Sequence, residues 1–154
     1  MNSPALPDLL TRLVLGEASP VRGLRQARAK VTDATEGSYQ ALFAADLPGS
    51  LTLQERLLVA EYASQLTPQP ELAAHYLERL QGFTAPQDSP RLRAILDFTR
   101  TLVLTPVEGD RQALTALLDA GLETVDVVTL GQLIAFISYQ VRLASGLKAL
   151  EQLQ

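Results

Sequence analysis

Leu51-Thr-Leu-Gln-Glu-Arg-Leu-Leu-Val-Ala60-Glu-Tyr-Ala-Ser-Gln-Leu-Thr-Pro-Gln-Pro70-Glu-Leu-Ala-Ala-His-Tyr-Leu-Glu-Arg-Leu80 reads as two helices joined by a sharp corner. Thr52 and Glu55 stand three apart ahead of an apolar run. That is the spacing of a capping box, in which the threonine oxygen takes an orphan amide and the glutamate reaches back. The helix opened there should run to about Leu66. Thr67-Pro68-Gln69-Pro70 then breaks the chain direction. Proline is tolerated in a first helical turn because its missing N–H had no partner there, so a second helix can begin at once. It carries Leu72, Tyr76 and Leu80 on one face and should stop near Gly82.

Outward from this hairpin every long segment has helical periodicity, and no run alternates in the strand manner. A short helix is expected over Pro7–Leu15, ended by Gly16. Pro20 opens a helical stretch to about Ala45, with a break expected near Thr32–Gly37, and Pro48-Gly49-Ser50 is a turn. Gly82–Ser89 is the longest polar loop. Ser89-Pro90 opens a helix through about Leu104 with Leu92, Ile95, Leu96 and Leu102 inward. Thr105-Pro106-Val107-Glu108 should start another, closed by Gly121, and the last, from about Thr124 to Leu150, is the longest and most apolar. With no internal repeat, low-complexity tract or linker, residues 1–154 are expected to form one all-α domain of six to seven helices.

Composition narrows the function. A chain of 154 residues, 47% apolar and 19% charged, has a globular balance and suits one core. Its net charge of −4 argues against a nucleic-acid partner, whose phosphates need a basic surface. The basic cluster Arg22, Arg25, Arg28 and Lys30 has no interleaved aromatics. The absence of cysteine excludes a disulfide framework, a thiolate metal site and a thiol redox couple. There is no glycine-rich phosphate loop, Gly-x-Ser-x-Gly or His-Glu-x-x-His, so neither cofactor nor metal is expected. The start, Met1 to Asp8, lacks basic residues, and Asp8 and Arg12 interrupt any apolar stretch, so a secretory signal is not expected. The window Val127–Val141 is interrupted by Gln132, Ser138 and Gln140, and is too short for a membrane span of about 20 residues. A soluble cytoplasmic protein is the expectation.

Between Val125 and Val141 the only charged residue is Asp126, and apolar side chains fall on nearly every side of the helix. A helix apolar all round must be covered all round. Either it is the central core helix, or a second copy of the chain covers one flank, which makes Val125–Leu150 a candidate surface for a homo-oligomer. Arg142, just after this run, marks either the solvent rim or a site held by a carboxylate.

Three stretches carry a resemblance. They are Gly37-Ser38-Tyr39-Gln40-Ala41-Leu42-Phe43; the hairpin from Leu51 to Tyr76; and Ala120-Gly121-Leu122 followed by Val128-Thr129-Leu130, Ile134 to Arg142 and Gly146-Leu147. Their order and spacing resemble the carboxymuconolactone decarboxylase and alkyl hydroperoxidase D-like superfamily, in its peroxidase-related branch, over nearly the whole chain. The resemblance implies an all-helical fold that assembles as homo-oligomers. It also implies a hairpin bearing a Cys-x-x-Cys pair with a nearby histidine and an upstream glutamate. Matched without gaps, the cysteine positions fall on Gln69 and Leu72, the glutamate on Leu57 and the histidine on Tyr76. A one-residue shift would bring His75 to the histidine position. Neither register supplies a thiolate, which is the nucleophile of such chemistry.

The remaining polar candidates are few. His75, the single histidine, has its charge change near neutrality. Glu71 and Glu78 share its helical face with Arg79 adjacent, the pattern of a solvated, charge-paired face. Glu71 and His75 lack a third ligand for a metal. Glu61, between Gln54 and Gln65 on the polar stripe of its helix, can stand in for the family glutamate or simply face water. Arg56, among Val59, Ala60 and Ala63, suits a partly buried ion pair.

Two readings stay open. One is a cofactor-free acid–base enzyme or small-molecule binder, with His75 as acid or base, Glu61 as its partner, and Arg142 or Tyr139 holding a small acidic ligand. The other is a catalytically inactive homo-oligomeric structural or regulatory partner of a cysteine-bearing relative. The second predicts no polar cleft around Leu57, Gln69, Leu72 and His75, and an extended apolar face on the last helix.

Overall fold

Side chains at the helix starts set the boundaries of the structure, a computed structural model that describes residues 7–154. Among these residues there are eight α-helices and no strand: α1 (Leu9–Val14), α2 (Val21–Gln26), α3 (Ala29–Leu42), α4 (Leu53–Leu66), α5 (Pro70–Leu80), α6 (Pro90–Leu104), α7 (Arg111–Asp119) and α8 (Thr124–Glu151). Both halves of the capping box that opens α4 are made, Glu55 N donating to Thr52 Oγ1 at 3.1 Å and Thr52 N to Glu55 Oε2 at 2.8 Å. Gln69 Oε1 accepts from Glu71 N at 3.1 Å at the start of α5, and Ser89 Oγ from Leu92 N at 3.1 Å at the start of α6. Each of these satisfies an amide that the first helical turn leaves without a partner.

The helices exceed the expected six to seven because the stretch opened by Pro20 is divided into two helices, α2 and α3, at a break that lies elsewhere than expected. α3 runs straight through Thr32–Gly37, and the interruption falls at Ala27–Arg28, between α2 and α3. Thr32 and Thr35 fit the helix by donating their hydroxyls to carbonyls one turn back, Arg28 at 3.2 Å and Val31 at 2.9 Å. The Thr105-Pro106 start also differs. It makes only a 3-10 turn, Pro106–Glu108, and α7 opens later, where Asp110 accepts from Gln112 N at 2.9 Å. α7 closes as expected at Gly121, whose φ of +89° favours glycine.

α4 and α5 pack against each other as the hairpin, and α8 lies against α4 while touching α1, α2, α3, α6 and α7. The buried core joins Leu57, Val59 and Ala63 of α4, Leu72 and Tyr76 of α5, Ile95 of α6, Leu117 of α7, and Leu130, Leu133 and Ile137 of α8. α8 is therefore central along one face only. Its buried positions, among them Thr129, Leu133, Ile137, Gln140, Ala144 and Leu147, follow the three-and-four spacing of a single stripe. The opposite stripe is open: Val125 is 43% exposed, Val128 55% and Tyr139 40%. By length and composition α8 is apolar enough to cross a membrane, at a mean hydropathy of 1.4 over its most apolar window, of which 44% is buried inside the bundle. The shorter window Val127–Val141 understated that length.

Two polar anchors lock the hairpin to the rest. Asp126, at the third position of α8, is buried and accepts from Ser50 N at 2.6 Å, Ser50 Oγ at 2.7 Å, Leu51 N at 3.1 Å and Glu123 N at 2.8 Å. Burial alone would raise its pKa, but these donors outweigh burial and lower it. Arg56 is the second anchor and corrects the expected ion pair. Only 2% exposed, it donates to carbonyls instead: Leu42 O at 2.5 Å, Ala44 O at 2.9 Å and Leu51 O at 3.2 Å. Two of these lie at the C-terminal end of α3, where a cation is favoured by the helix dipole.

Candidate functional site

Tyr39 on α3 and Phe43, the residue that caps its C-terminal end, stand one turn apart, as do His75 and Arg79 on α5. Packing brings the two pairs together. Arg79 Nη1 donates to Tyr39 Oη at 2.7 Å, and Tyr39 Oη lies 2.8 Å from His75 Nε2. A guanidinium can only donate, so the tyrosine proton is free for the imidazole. The arrangement that satisfies all three groups has Tyr39 donating to an unprotonated Nε2, with the histidine proton on Nδ1. The Arg79 guanidinium also sits 5.5 Å from the Tyr39 ring centroid and 5.1 Å from that of Phe43, within cation–π range. His75 meets Tyr76 edge-on, with centroids 5.1 Å apart.

Electrostatics keep this cluster in one protonation state. Burial lowers the His75 pKa, and the adjacent Arg79 charge lowers it further, so the imidazole is neutral at neutral pH. Burial raises the Tyr39 pKa against the opposing pull of Arg79, so the phenol keeps its proton. A neutral imidazole accepting from a tyrosine beside a fixed cation is a proton relay in form. His75, Tyr39 and Arg79 are all half-buried, so water reaches the edge of the cluster.

The solvated, charge-paired face expected for His75 is not what forms. Glu71 pairs with Lys148 of α8, whose hydrogen bond lowers the Glu71 pKa. Glu61 lies half-buried on α4, bonded by Gln65 Nε2, and burial raises its pKa. Tyr139 shares a 3.1 Å hydrogen bond with Thr35 Oγ1, and the exposed Arg142 donates to Ser138 O of its own helix at 2.9 Å. The structure thus brings His75 to Tyr39 and Arg79, while Tyr139 and Arg142 stand together on the open stripe of α8. Sequence reasoning missed Tyr39 and Arg79 as site residues. Their signal was the i,i+4 pairing on each helix, but nothing in one helix names the helix it will meet.

The positions matched to the superfamily site are filled. Leu57, Leu72 and Tyr76 are buried core, and Gln69 is buried as the cap of α5. Tyr76 Oη donates to Gln140 Oε1 at 2.5 Å, and burial pushes its pKa well up. Among the described residues, no group of three His, Cys, Asp or Glu side chains is placed to hold a metal ion.

No protein-family model matches the chain, and no curated protein matches it. Among solved structures, the chain is similar to an uncharacterized peroxidase-related protein from Silicibacter sp. TM1040, with 19% identity over 95% of this chain and 92% of that one, and a TM-score of 0.59. The chain has the fold of a peroxidase-related protein.

Proposed function

We propose that this chain is a cysteine-free member of the carboxymuconolactone decarboxylase and alkyl hydroperoxidase D-like superfamily that acts as a homo-oligomeric structural or regulatory subunit, without thiol peroxidase chemistry. The observation that carries this reading is the filled hairpin. Leu57, Leu72 and Tyr76 occupy buried positions with essentially no exposed surface, so a substrate has no room where the superfamily reacts. The open stripe of α8 supports assembly, because Val125, Val128, Ala135 and Tyr139 leave an apolar helix flank for a second copy. The acidic balance fits a protein that does not bind nucleic acid.

Sedimentation at micromolar concentration tests the assembly, and a monomer would sink it. A peroxide-reduction assay with a thiol donor tests the chemistry, where turnover above a denatured control would refute its absence.

A second reading is favoured by the Arg79–Tyr39–His75 chain, which suits acid–base catalysis without cofactor. If His75→Gln abolishes a turnover that Tyr39→Phe also slows, the chain is an enzyme and the subunit reading fails.

A further inference from the structure

We propose that α8 pairs antiparallel with α8 of a second copy of this chain, in the register centred at Ile137, as an isologous two-fold contact. This pairing rests on the homo-oligomer reading and adds to it the direction and the register. The exposed residues of α8 begin at Val125 and Val128 and recur at alternating steps of three and four as far as Gly146 and Ala149, with Ser145 the one addition. Such a 3.5-residue repeat is the seam of a left-handed coiled coil, which a second helix can follow along its whole length. A solvated helix face ordinarily carries charge, whereas Arg142 is the single charged residue among these.

Reversed upon itself about Ile137, the stripe sets large residues against small ones. Tyr139 meets Ala135, Val128 meets Gly146 and Val125 meets Ala149, each match occurring twice across the two-fold axis. No other element of the chain comes within 4 Å of the point where a Cβ would stand on Gly146, so the space above it is open to a neighbour. Arg142 falls opposite Gln132, whose amide oxygen accepts what a guanidinium donates. Arg142 is in no ion pair among the described residues, and its bond from Nη1 to Ser138 O leaves other N–H groups for that oxygen. Tyr139 Oη already shares a 3.1 Å hydrogen bond with Thr35 Oγ1, so its ring can be covered without stranding the hydroxyl.

Other arrangements of two copies fit less well. A parallel pair sets each residue against itself, Tyr139 on Tyr139 and Arg142 on Arg142, and facing like charges weaken association. Sliding the antiparallel pair by one heptad sets Ala135 against Gly146 in one direction, or Gln132 against Ala135 in the other. Either slide also leaves turns of each stripe uncovered. The centred register covers the stripe from end to end, about 36 Å at 1.5 Å per residue.

The chain has no cysteine, so introduced thiols report the pairing without interference. Val128→Cys and Gly146→Cys are made separately in the full chain, and each alters an exposed position. Oxidised alone, neither variant is expected to form a disulfide-linked dimer, because its two thiols stand about 27 Å apart along the helix axis. An equimolar mixture of the two is expected to give at least about tenfold more linked dimer than either alone. Gln132→Glu sets a carboxylate opposite Arg142 twice and is expected to tighten association a few-fold to about tenfold in sedimentation equilibrium. An oligomer in which each thiol variant links to itself, or in which the mixture does not link and Gln132→Glu weakens association, would overturn this pairing and leave the homo-oligomer reading standing. A parent chain that sediments as a monomer removes both, and its flotation with phosphatidylcholine vesicles would give the stripe to a lipid surface.

Discussion

The hydroxyl of Tyr39 on α3 and Nε2 of His75 on α5 lie 2.8 Å apart, joining helices whose residues are 36 positions apart in the chain. The contact donates to the neutral imidazole, and hydrogen bonding to the neutral form opposes protonation. Tyr39→Phe should therefore raise the His75 pKa, which imidazole proton chemical shifts followed by NMR across a pH titration would report. An unchanged or lower pKa in the variant would mean that His75 Nε2 is the donor.

The same depression has a stability consequence. Burial and Arg79 hold the folded His75 pKa below its unfolded value, so the unfolded chain binds more protons as pH falls through that interval. Stability contributed by neutral His75 is complete above the unfolded pKa and is lost as pH falls toward the folded one. Denaturant midpoints should fall on acidification just below about pH 6.5, and His75→Gln should flatten that slope. A slope identical in the two proteins would assign the loss to other groups.

Asp126 holds the turn ahead of α4 as an anion, and its removal strands several amides at once. Asp126→Ala should cost about 3 kcal/mol or more in chemical denaturation. Gly49→Ala should cost about 2 kcal/mol at the same joint, for two reasons. The backbone there has φ +107°, and an added Cβ would stand 2.6 Å from Asp126 Oδ1. A loss below 0.5 kcal/mol in either variant, taken as about the noise of surface changes, would contradict this account.

Arg56 should be replaceable by neither lysine nor methionine. Its fork reaches Leu42, Ala44 and Leu51 carbonyls together, a geometry that an ammonium point charge cannot reproduce. Arg56→Met leaves those acceptors unpaired in the interior and should lower stability by about 3 kcal/mol. Arg56→Lys should fall between, and a melting curve for each is the measurement.

The open stripe of α8 makes the last prediction. Val128→Glu places a charge on the 55%-exposed position without touching the core. If a second copy covers this stripe, the variant should sediment as a monomer with its helical circular dichroism intact. An oligomer that survives Val128→Glu would move the interface to another face.

The sequence by itself determined the helices and most of their ends. Caps, prolines and hydrophobic period are local, so the Thr52–Glu55 box, the Pro70 start and the Ser89 cap were legible. The Thr32–Gly37 break was misread because hydroxyl-bearing residues look like breakers until their donors find carbonyls one turn back. The inward positions of Leu72 and Tyr76 also followed from spacing. Tertiary structure alone decided the site. His75 looked like part of a charged face because Glu71 and Glu78 are near in sequence, yet Lys148 takes Glu71 and Tyr39 takes His75 from other helices. The buried Arg25–Asp8 pair and the three hydrogen bonds from Ser50 and Leu51 to Asp126 join distant segments in the same way. A helix fixes which of its residues share a face; which partner that face meets depends on packing across the whole chain, and no local pattern encodes it.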